Sequence, residues 1–143
     1  MAGFLALGND QYIGSYKLDE ANGVENGVFV VLNHANKTAK LADATTGDGD
    51  VYFVANEIDT IDEQGIDDVK FVNKNGKFLR LHKPQKGEVL VTTMFTGTLN
   101  DGDKVAVGAA GKAVAIGTRT PATSFAVEKT VAYGQDVVKL LVL

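Results

Sequence analysis

The sequence predicts an all-β protein, folded as a single compact barrel or sandwich of short antiparallel strands with at most one short helical turn. Eighteen valines and twelve threonines favour strands, because β-branched side chains fit a pleated surface better than a helix. Sixteen glycines and only two prolines favour frequent tight turns. A chain of 143 residues has the usual size of one domain and can bury its own core. We therefore divide it into an extended, apolar N-terminal arm, residues 1–10, and one β domain, residues 11–143.

The composition excludes several kinds of site chemistry. The chain has no cysteine, so disulfides, thiolate zinc sites and iron–sulfur clusters are ruled out. Its apolar stretches fall far short of the roughly 20 residues of a membrane-spanning helix, and residues 1–8 lack the positive start of a secretory signal. Two histidines and two serines leave few groups for acid–base or nucleophilic work. We therefore expect no enzyme activity, no cofactor and no membrane partner.

The first half of the domain contains a hairpin and a buried strand. Gly27–Asn33 is apolar and β-branched, and a polar turn joins it to the return strand Thr38–Ala42. Val51–Ala55 is apolar on both faces, which predicts a strand that is covered on two sides. Thr60–Glu63 matches a capping box, in which the threonine hydroxyl accepts a hydrogen bond from a free amide at a helix start. With Gly65 as a stop, this segment is the short helical turn that we expect.

Residues 69–82 carry the clearest local signal of a hairpin. Asn75 and Gly76 lie between two strand-like runs, as a type I′ turn requires, and such a turn fixes the register. The register places Val72 opposite Leu79. Because neither face of the resulting pair is wholly apolar, we expect a ribbon that projects from the domain and packs only at its base.

The second half continues as short strands at the spacing typical of a barrel or sandwich. The last strand is so apolar that we expect its final residues to be buried, either in the core or in a neighbour. The predicted segments are Val89–Thr93, Thr98–Gly108 with its turn, Lys112–Gly117, Phe125–Ala132 and Asp136–Leu143.

Charge is divided between the two halves of the chain. Residues 1–72 carry thirteen acids and four bases, a net charge of −9, whereas residues 73–143 carry five acids and ten bases, a net charge of +5. Opposite charges of this kind would let subunits associate, or would help the protein to dock on a larger assembly.

The basic residues are densest in and after the predicted ribbon. Phe71 and Phe78 alternate with them, as in proteins that stack nucleic-acid bases, but the overall charge of −4 would repel a polyanion. We therefore expect no nucleic-acid partner. A solvated face and a protein-binding face are the remaining alternatives. The second alternative assigns partner binding to Lys74, Lys77 and Arg80.

Other clusters suggest chemistry but are incomplete. Asp48 and Asp50 offer carboxylates to a calcium ion, although the other positions of an EF-hand are missing. His34 and His82 lack further metal ligands that the sequence would bring near them. Neither serine lies in a nucleophile elbow. We assign no metal or catalytic residue. The acids that a glycosidase-like pair would use are crowded into one stretch typical of an exposed loop: Asp59, Asp62, Glu63, Asp67 and Asp68.

Four features occur together along the chain. They are the apolar arm Met1–Leu7, a cysteine-free β domain rich in valine, threonine and glycine, the turn Leu99–Val105, and a final strand that runs to Leu143. In this organisation the sequence resembles the decoration, or cement, proteins of tailed bacteriophage heads. The resemblance covers most of the chain but includes no diagnostic motif, so it transfers no site residue from the family.

The resemblance implies a structural virion protein. Such a protein is made in the host cytoplasm, binds the major capsid protein on the outer surface of the capsid, associates as a homotrimer and stabilises the shell. The arm residues Phe4, Leu5 and Leu7 would then bind a partner, because they need a groove or a sheet edge to enter. An ordinary first strand is the alternative for the arm.

Two other functions stay open at this point. One is another phage structural component, such as a tail or head-fibre protein. The other is a carbohydrate- or ligand-binding β module, which would place exposed aromatic side chains on one face. The candidates for that face are Tyr12, Tyr16, Tyr52 and Tyr133.

Overall fold

The computed structural model describes residues 12–56, 71–132 and 134–143. These residues form twelve β-strands and two single turns of 3₁₀ helix, Thr46–Asp48 and Ala109–Gly111, which confirms the all-β class. None of the described helices is long and apolar enough to cross a membrane. The predicted turn at Thr60–Glu63 lies outside the described residues. The strands are β1 (Tyr12–Leu18), β2 (Val24–Glu25), β3 (Phe29–Asn33), β4 (Thr38–Leu41), β5 (Tyr52–Val54), β6 (Val72–Asn73), β7 (Phe78–His82), β8 (Val89–Thr92), β9 (Lys104–Val107), β10 (Ala113–Ala115), β11 (Phe125–Ala132) and β12 (Gln135–Val142).

Five strands close into a barrel in the order β1, β4, β3, β5, β7. β1 runs parallel to β4 and antiparallel to β7, and the remaining neighbours are antiparallel. Because strand residues alternate between the two faces of a sheet, every second side chain points inward. The barrel core includes Tyr16, Leu18, Val30, Ala39, Val54, Leu79 and Leu81.

The second sheet is antiparallel throughout and has the order β10, β9, β11, β12, β8. Its two longest strands, β11 and β12, pair from Phe125 with Val142 to Ala132 with Gln135. β8 lies at one edge of this sheet. A separate short pair joins β2 to β6.

β3 and β5 contribute to both cores of the molecule. Val30 and Val54 belong to the barrel core, whereas Phe29 and Phe53 belong to the core that the barrel shares with the second sheet. The Phe29 ring centroid lies 5.3 Å from that of Phe53 and 5.3 Å from that of Phe125. The burial of Phe53 and Val54 on opposite faces confirms that this segment is a strand covered on two sides.

Two contacts fix the second sheet against the barrel. Gly111 N donates to Ala42 O over 2.9 Å. Gly111 has a φ of +67°, and a side chain there would collide with the Phe29 carbonyl, so only glycine allows this approach. Elsewhere along the interface, Thr92 Oγ1 donates to Gly27 O over 2.7 Å. Both sheets are therefore held in one packed body.

The first predicted hairpin is confirmed, because β3 and β4 pair from Asn33 with Thr38 onward. The predicted burial of the last strand is confirmed on one face only. Val142 is buried, whereas Leu141 and Leu143 are 41% and 44% exposed. The exposed leucines lie on the outer face of the second sheet.

The turn in the predicted 69–82 ribbon forms with a different geometry. Lys77 N donates to Lys74 O over 3.1 Å. Gly76 has a φ of +82°, but Asn75 is not among the described residues with positive φ. The turn is therefore of type II rather than type I′. Type II turns splay the flanking strands instead of matching their twist.

The strands on the two sides of this turn consequently have different partners. Val72 in β6 pairs with Glu25 in β2, whereas Leu79 in β7 pairs with Tyr16 in β1. The predicted pairing of Val72 with Leu79 is wrong. β7 lies between β1 and β5 in the barrel instead of projecting with β6.

Candidate functional site

The outer side of β7 and β1 exposes basic side chains, whereas Lys40 of the neighbouring β4 pairs with the exposed Asp19, its Nζ lying 3.5 Å from Oδ2. In β7, Phe78 and Arg80 are exposed and alternate with Leu79 and Leu81, which lie in the barrel core. The neighbouring strand β1 exposes Lys17 in the same way. We name this surface the open basic face, and we define it by Lys17, Lys37, Lys74, Lys77, Phe78 and Arg80.

Backbone pairing assembles this face from separate parts of the chain. Lys17 pairs with Phe78 across β1 and β7. Lys17 N donates to Lys37 O over 3.0 Å, and Leu18 N donates to Lys77 O over 2.9 Å. The β3–β4 turn and the β6–β7 turn therefore lie beside β1, one on each side of the strand. Three segments of the sequence contribute cations to one surface.

The β3–β4 turn holds Lys37 in the left-handed region, with a φ of +57°. This conformation costs a residue other than glycine about 1–2 kcal/mol. Asn33 Oδ1 supports the turn by accepting hydrogen bonds from two of its backbone N–H groups, over 3.0 and 3.1 Å. The Tyr16 hydroxyl lies 2.6 Å from His34 Nδ1, and Lys37 Nζ lies 5.2 Å from the Tyr16 ring centroid. The turn thus places the Lys37 ammonium beside β1 at a conformational cost.

Phe78 is the apolar member of the open basic face and is 55% exposed. Lys17 Nζ lies 5.1 Å from the centroid of its ring. Cation–π contacts at exposed sites contribute about 0.5–1 kcal/mol, which does not offset the exposure of a large aromatic ring. The surface can therefore offer a partner both positive charge and an apolar contact.

The three cations that the sequence predicts as partner contacts lie in the β6–β7 turn and in β7. Lys74 and Arg80 are exposed, and Lys77 is half-buried, with its Nζ 4.9 Å from the Phe71 ring centroid. Their participation in partner binding stays a prediction. The other predicted contacts, Phe4, Leu5 and Leu7, lie outside the described residues.

Sequence reasoning missed Lys17 and Lys37. Both lie in the half of the chain with a net charge of −9, where a lysine carries little weight in a charge count. A local signal was present, because Lys17 lies between Tyr16 and Leu18, which alternate with it and are buried. That alternation predicts a strand with the lysine on its outer face.

The acidic loop before β5 is tied to basic residues of the second half of the chain. Asp48 Oδ1 lies 2.9 Å from Arg119 Nε and 2.7 Å from Arg119 Nη2. Asp50 Oδ1 accepts a hydrogen bond from Lys83 Nζ over 3.1 Å. Both candidate calcium ligands therefore bind cations of the same chain. Among the described residues, no group of three or more histidines and acids is placed to hold a metal ion.

Asp43 organises the start of the same loop. Its Oδ1 accepts hydrogen bonds from Thr46 N over 2.7 Å and from Thr45 N over 2.8 Å. These two N–H groups, with the Thr46 hydroxyl, hold the pKa of Asp43 below its ordinary value of 3.8. Its carboxylate therefore has a structural role as the anchor of a turn.

The two histidines contact neighbouring side chains. His34 faces the Tyr16 hydroxyl, as described above. His82 Nε2 lies 2.6 Å from Glu88 Oε2, and Glu88 Oε1 accepts a hydrogen bond from Gln85 N over 2.6 Å. This chain of contacts orders the connection between β7 and β8. The five crowded acids fall outside the described residues: Asp59, Asp62, Glu63, Asp67 and Asp68.

The two tyrosine side chains that the structure describes do not lie on one exposed aromatic face. Tyr16 is buried in the barrel, and Tyr52 is half-buried with Lys83 Nζ 4.8 Å from its ring centroid. Tyr133 and the Tyr12 side chain lie outside the described residues. A cavity of about 430 Å³ lies between the barrel and the second sheet. Two amides that line it already serve the fold. The Asn26 amide donates to Asn56 O and accepts from Asn56 N, and the Asn56 amide donates to Phe78 O and accepts from Arg80 N.

Comparison with known proteins assigns no family. The chain matches no family model, no curated protein and no solved structure at a significant level. The interpretation of the open basic face therefore depends on its own geometry. Lys17 Nζ lies over the exposed Phe78 ring, and the other four cations lie in β7 and in the two turns beside β1.

Proposed function

We propose that this chain is a non-catalytic structural virion protein that binds the outer surface of a phage capsid and stabilises it. Its partner is the major capsid protein, and it acts on the virion after synthesis in the host cytoplasm. The observation that carries the proposal is the open basic face, where Lys17 Nζ lies over the exposed Phe78 ring and the two turns beside β1 add further cations. The resemblance of the sequence to decoration proteins supplies the class of partner.

The physical properties of the face suit attachment to a repeated protein surface. Positive charge accelerates docking on an acidic surface, and an aromatic side chain is the usual anchor of such a contact. A capsid presents many equivalent sites, so modest single contacts become lasting attachment when the protein is itself oligomeric. The homotrimer implied by the resemblance would provide that multivalency.

The N-terminal arm provides a second proposed contact. Burial of Phe4, Leu5 and Leu7 in a partner would contribute about 1.5–3 kcal/mol for each side chain, before the cost of ordering the arm. Removal of residues 1–7 should therefore weaken capsid binding strongly. The β domain should keep its melting temperature to within a few degrees.

Nucleic acid is the competing partner for a basic surface with an exposed aromatic ring. The net charge of −4 opposes it, because a polyanion is repelled by the rest of the surface. Tight binding to duplex or single-stranded DNA, with a steep dependence on salt, would contradict the proposal.

Co-sedimentation with purified capsid particles tests the proposal. Wild-type protein should pellet with the particles, and Phe78→Ala should weaken this binding by about tenfold, the loss expected for one interface anchor. Val131→Ala is the matched control, because Val131 is an exposed apolar residue on β11, away from the open basic face. Wild-type protein that stays in the supernatant, or equal losses for the two variants, would contradict the proposal.

A further inference from the structure

We propose that Asn22 is a site of spontaneous deamidation, at which the backbone nitrogen of Gly23 converts the side-chain amide into a carboxylate. Asn-Gly pairs are prone to this reaction, because glycine has no side chain to shield its nitrogen. The chain has three such pairs, which begin at Asn22, Asn26 and Asn75. This inference goes beyond the proposed function, because it concerns a covalent modification and needs neither a capsid nor the open basic face.

The reaction consumes only water. The Gly23 nitrogen loses its proton to solvent base and attacks Asn22 Cγ, so that an N–Cγ bond forms and the Cγ–Nδ2 bond breaks. Nδ2 takes a proton from solvent and leaves as ammonia. Water then opens the resulting succinimide ring at one of its two carbonyl carbons. Opening at Cγ gives aspartate, whereas opening at the carbonyl carbon of residue 22 gives isoaspartate, in which the main chain is longer by one carbon.

The Asn22 side chain is exposed, and its amide has no hydrogen-bond partner among the residues that the structure describes. The neighbouring Gly23 donates its backbone N–H to Glu20 O over 3.0 Å. This bond closes the turn of residues 20–23, so opening of that one turn releases the attacking nitrogen. Both reacting groups therefore become available through a local change between β1 and β2.

Asn26 is held by hydrogen bonds at both atoms of its amide. Its Nδ2 donates to Asn56 O over 2.9 Å, and its Oδ1 accepts from Asn56 N over 3.0 Å and from Asn73 Nδ2 over 3.1 Å. The attacking nitrogen would be that of Gly27, which is buried and donates to Val54 O over 2.9 Å. Deamidation at Asn26 therefore requires this part of the barrel to open.

Asn75 is exposed but is held by the end of β1. Its Oδ1 accepts a hydrogen bond from Glu20 N over 3.1 Å. Gly76 N donates to Leu18 O over 2.8 Å, and this bond joins the β6–β7 turn to the last residue of β1. Attack by Gly76 on Asn75 thus requires a long-range contact of the barrel to break. The fold therefore protects Asn75 more than it protects Asn22.

The chain also has two Asp-Gly pairs, which form the same ring by loss of water, and their side chains are held as well. Asp48 Oδ1 lies 2.7 Å from Arg119 Nη2, and Asp101 Oδ1 accepts a hydrogen bond from Lys129 N over 2.8 Å. Among these five pairs, all within the described part of the chain, only Asn22 has a side chain without a hydrogen-bond partner there.

The product at position 22 should loosen the adjacent strand pair. Gly23 packs so closely against Asn73 O that even a Cβ atom would collide with it, and the next residue, Val24, pairs with Asn73. A main chain longer by one carbon does not fit this contact. Isoaspartate should therefore make amide hydrogen exchange in β2 and β6 about tenfold faster. Asn22→Asp is the matched control, because it adds the same charge without the extra carbon and should leave this exchange unchanged.

The test of the site is the rate of deamidation of the full chain, kept folded or unfolded in urea at the same mildly alkaline pH. Mass spectrometry of peptides locates the change from amide to acid, and cleavage after Glu20 and Glu25 isolates Asn22 from the other asparagines. In urea the three Asn-Gly pairs should react at similar rates. In the folded protein, Asn22 should stay within about tenfold of its rate in urea, since one hydrogen bond contributes a factor of about five.

The protected pairs should be slower in the folded protein. Asn75 should react about fivefold more slowly than Asn22, and Asn26 about a hundredfold more slowly, in line with one and three additional side-chain hydrogen bonds. Asn22→Gln protein should lose the fast site, because glutamine forms the larger ring far more slowly.

Reaction at Asn75 or Asn26 as fast as at Asn22 would overturn the inference, and so would an Asn22 that stays intact while the unfolded chain reacts. Equal hydrogen exchange in isoaspartate-containing and Asn22→Asp protein would overturn the predicted effect on β2 and β6. All of these measurements omit the capsid, so co-sedimentation tests the proposed function separately.

Discussion

The two sides of the barrel are built from the same kind of strand but have different surroundings. On β3 and β5, the outward residues Phe29 and Phe53 are buried against the second sheet. On β7 and β1, the outward residues Phe78 and Lys17 are exposed. Burial in the shared core explains why the residues on the covered side are apolar. Burial does not explain the exposed aromatic ring of Phe78 beside a lysine on the open side, so we propose that a partner binds there.

Paired phenylalanine substitutions should give the largest contrast between the two sides. Phe29→Ala should lower the free energy of unfolding by about 3–5 kcal/mol, because it removes a fully buried ring from the shared core. Phe78→Ala should change it by no more than about 1 kcal/mol, since it removes an exposed ring and one exposed cation–π contact. Urea denaturation of both variants measures the difference. Similar losses would mean that Phe78 is a core residue and that the open side is covered.

Substitution of a cation should also lower the free energy of unfolding more on the covered side than on the open side. Arg119 binds Asp48 and is 20% exposed, so Arg119→Ala should destabilise the fold by about 1–2 kcal/mol. Lys17→Ala should cost no more than about 1 kcal/mol, the upper estimate for its exposed cation–π contact with Phe78. Thermal unfolding of the two variants at the same ionic strength provides the comparison. A larger loss for Lys17→Ala would assign it a structural role.

Lys37 allows stability and binding to be separated at one position. Lys37→Gly should raise the free energy of unfolding by about 0.5–1 kcal/mol, because glycine adopts the left-handed conformation without a steric penalty. The same change removes a cation from the open basic face and should weaken capsid binding. Chemical denaturation and co-sedimentation on one protein preparation test both effects. Lower stability, or unchanged binding, would contradict the role given to this turn.

The acidic loop on the covered side should show a small dependence on pH. The folded-state pKa of Asp43 is lowered by its hydrogen bonds to Thr46 and Thr45, so this carboxylate stabilises the fold above its unfolded pKa. The contribution is lost as pH falls below 3.8, through the lower folded-state pKa. Asp43→Ala should therefore be less stable than wild type near neutral pH, and the difference should shrink in acid. A difference that grows in acid would contradict this assignment.

The sequence was most informative where alternation and turn residues agreed. The β3–β4 hairpin and the doubly covered β5 follow directly from apolar patterning. The turn between β6 and β7 could not be predicted from the sequence, because an Asn-Gly pair is compatible with both turn types. The long-range pairing of Leu79 with Tyr16 selects one of them. Local patterns also do not reveal that Lys17 and Lys37 of the acidic half join the cations of the basic half. That placement depends on the closure of the barrel.

The proposed role of the open basic face in capsid binding can be tested by reversing its charges. The most direct measurement is co-sedimentation of Lys17→Glu/Lys37→Glu protein with capsid particles, in low and high salt. Lys104→Glu, a charge reversal of an exposed lysine on β9 of the second sheet, is the control. We expect the double variant to lose binding most strongly at low salt, where charges are least screened, and Lys104→Glu protein to bind like wild type. Equal binding by all three proteins would contradict it.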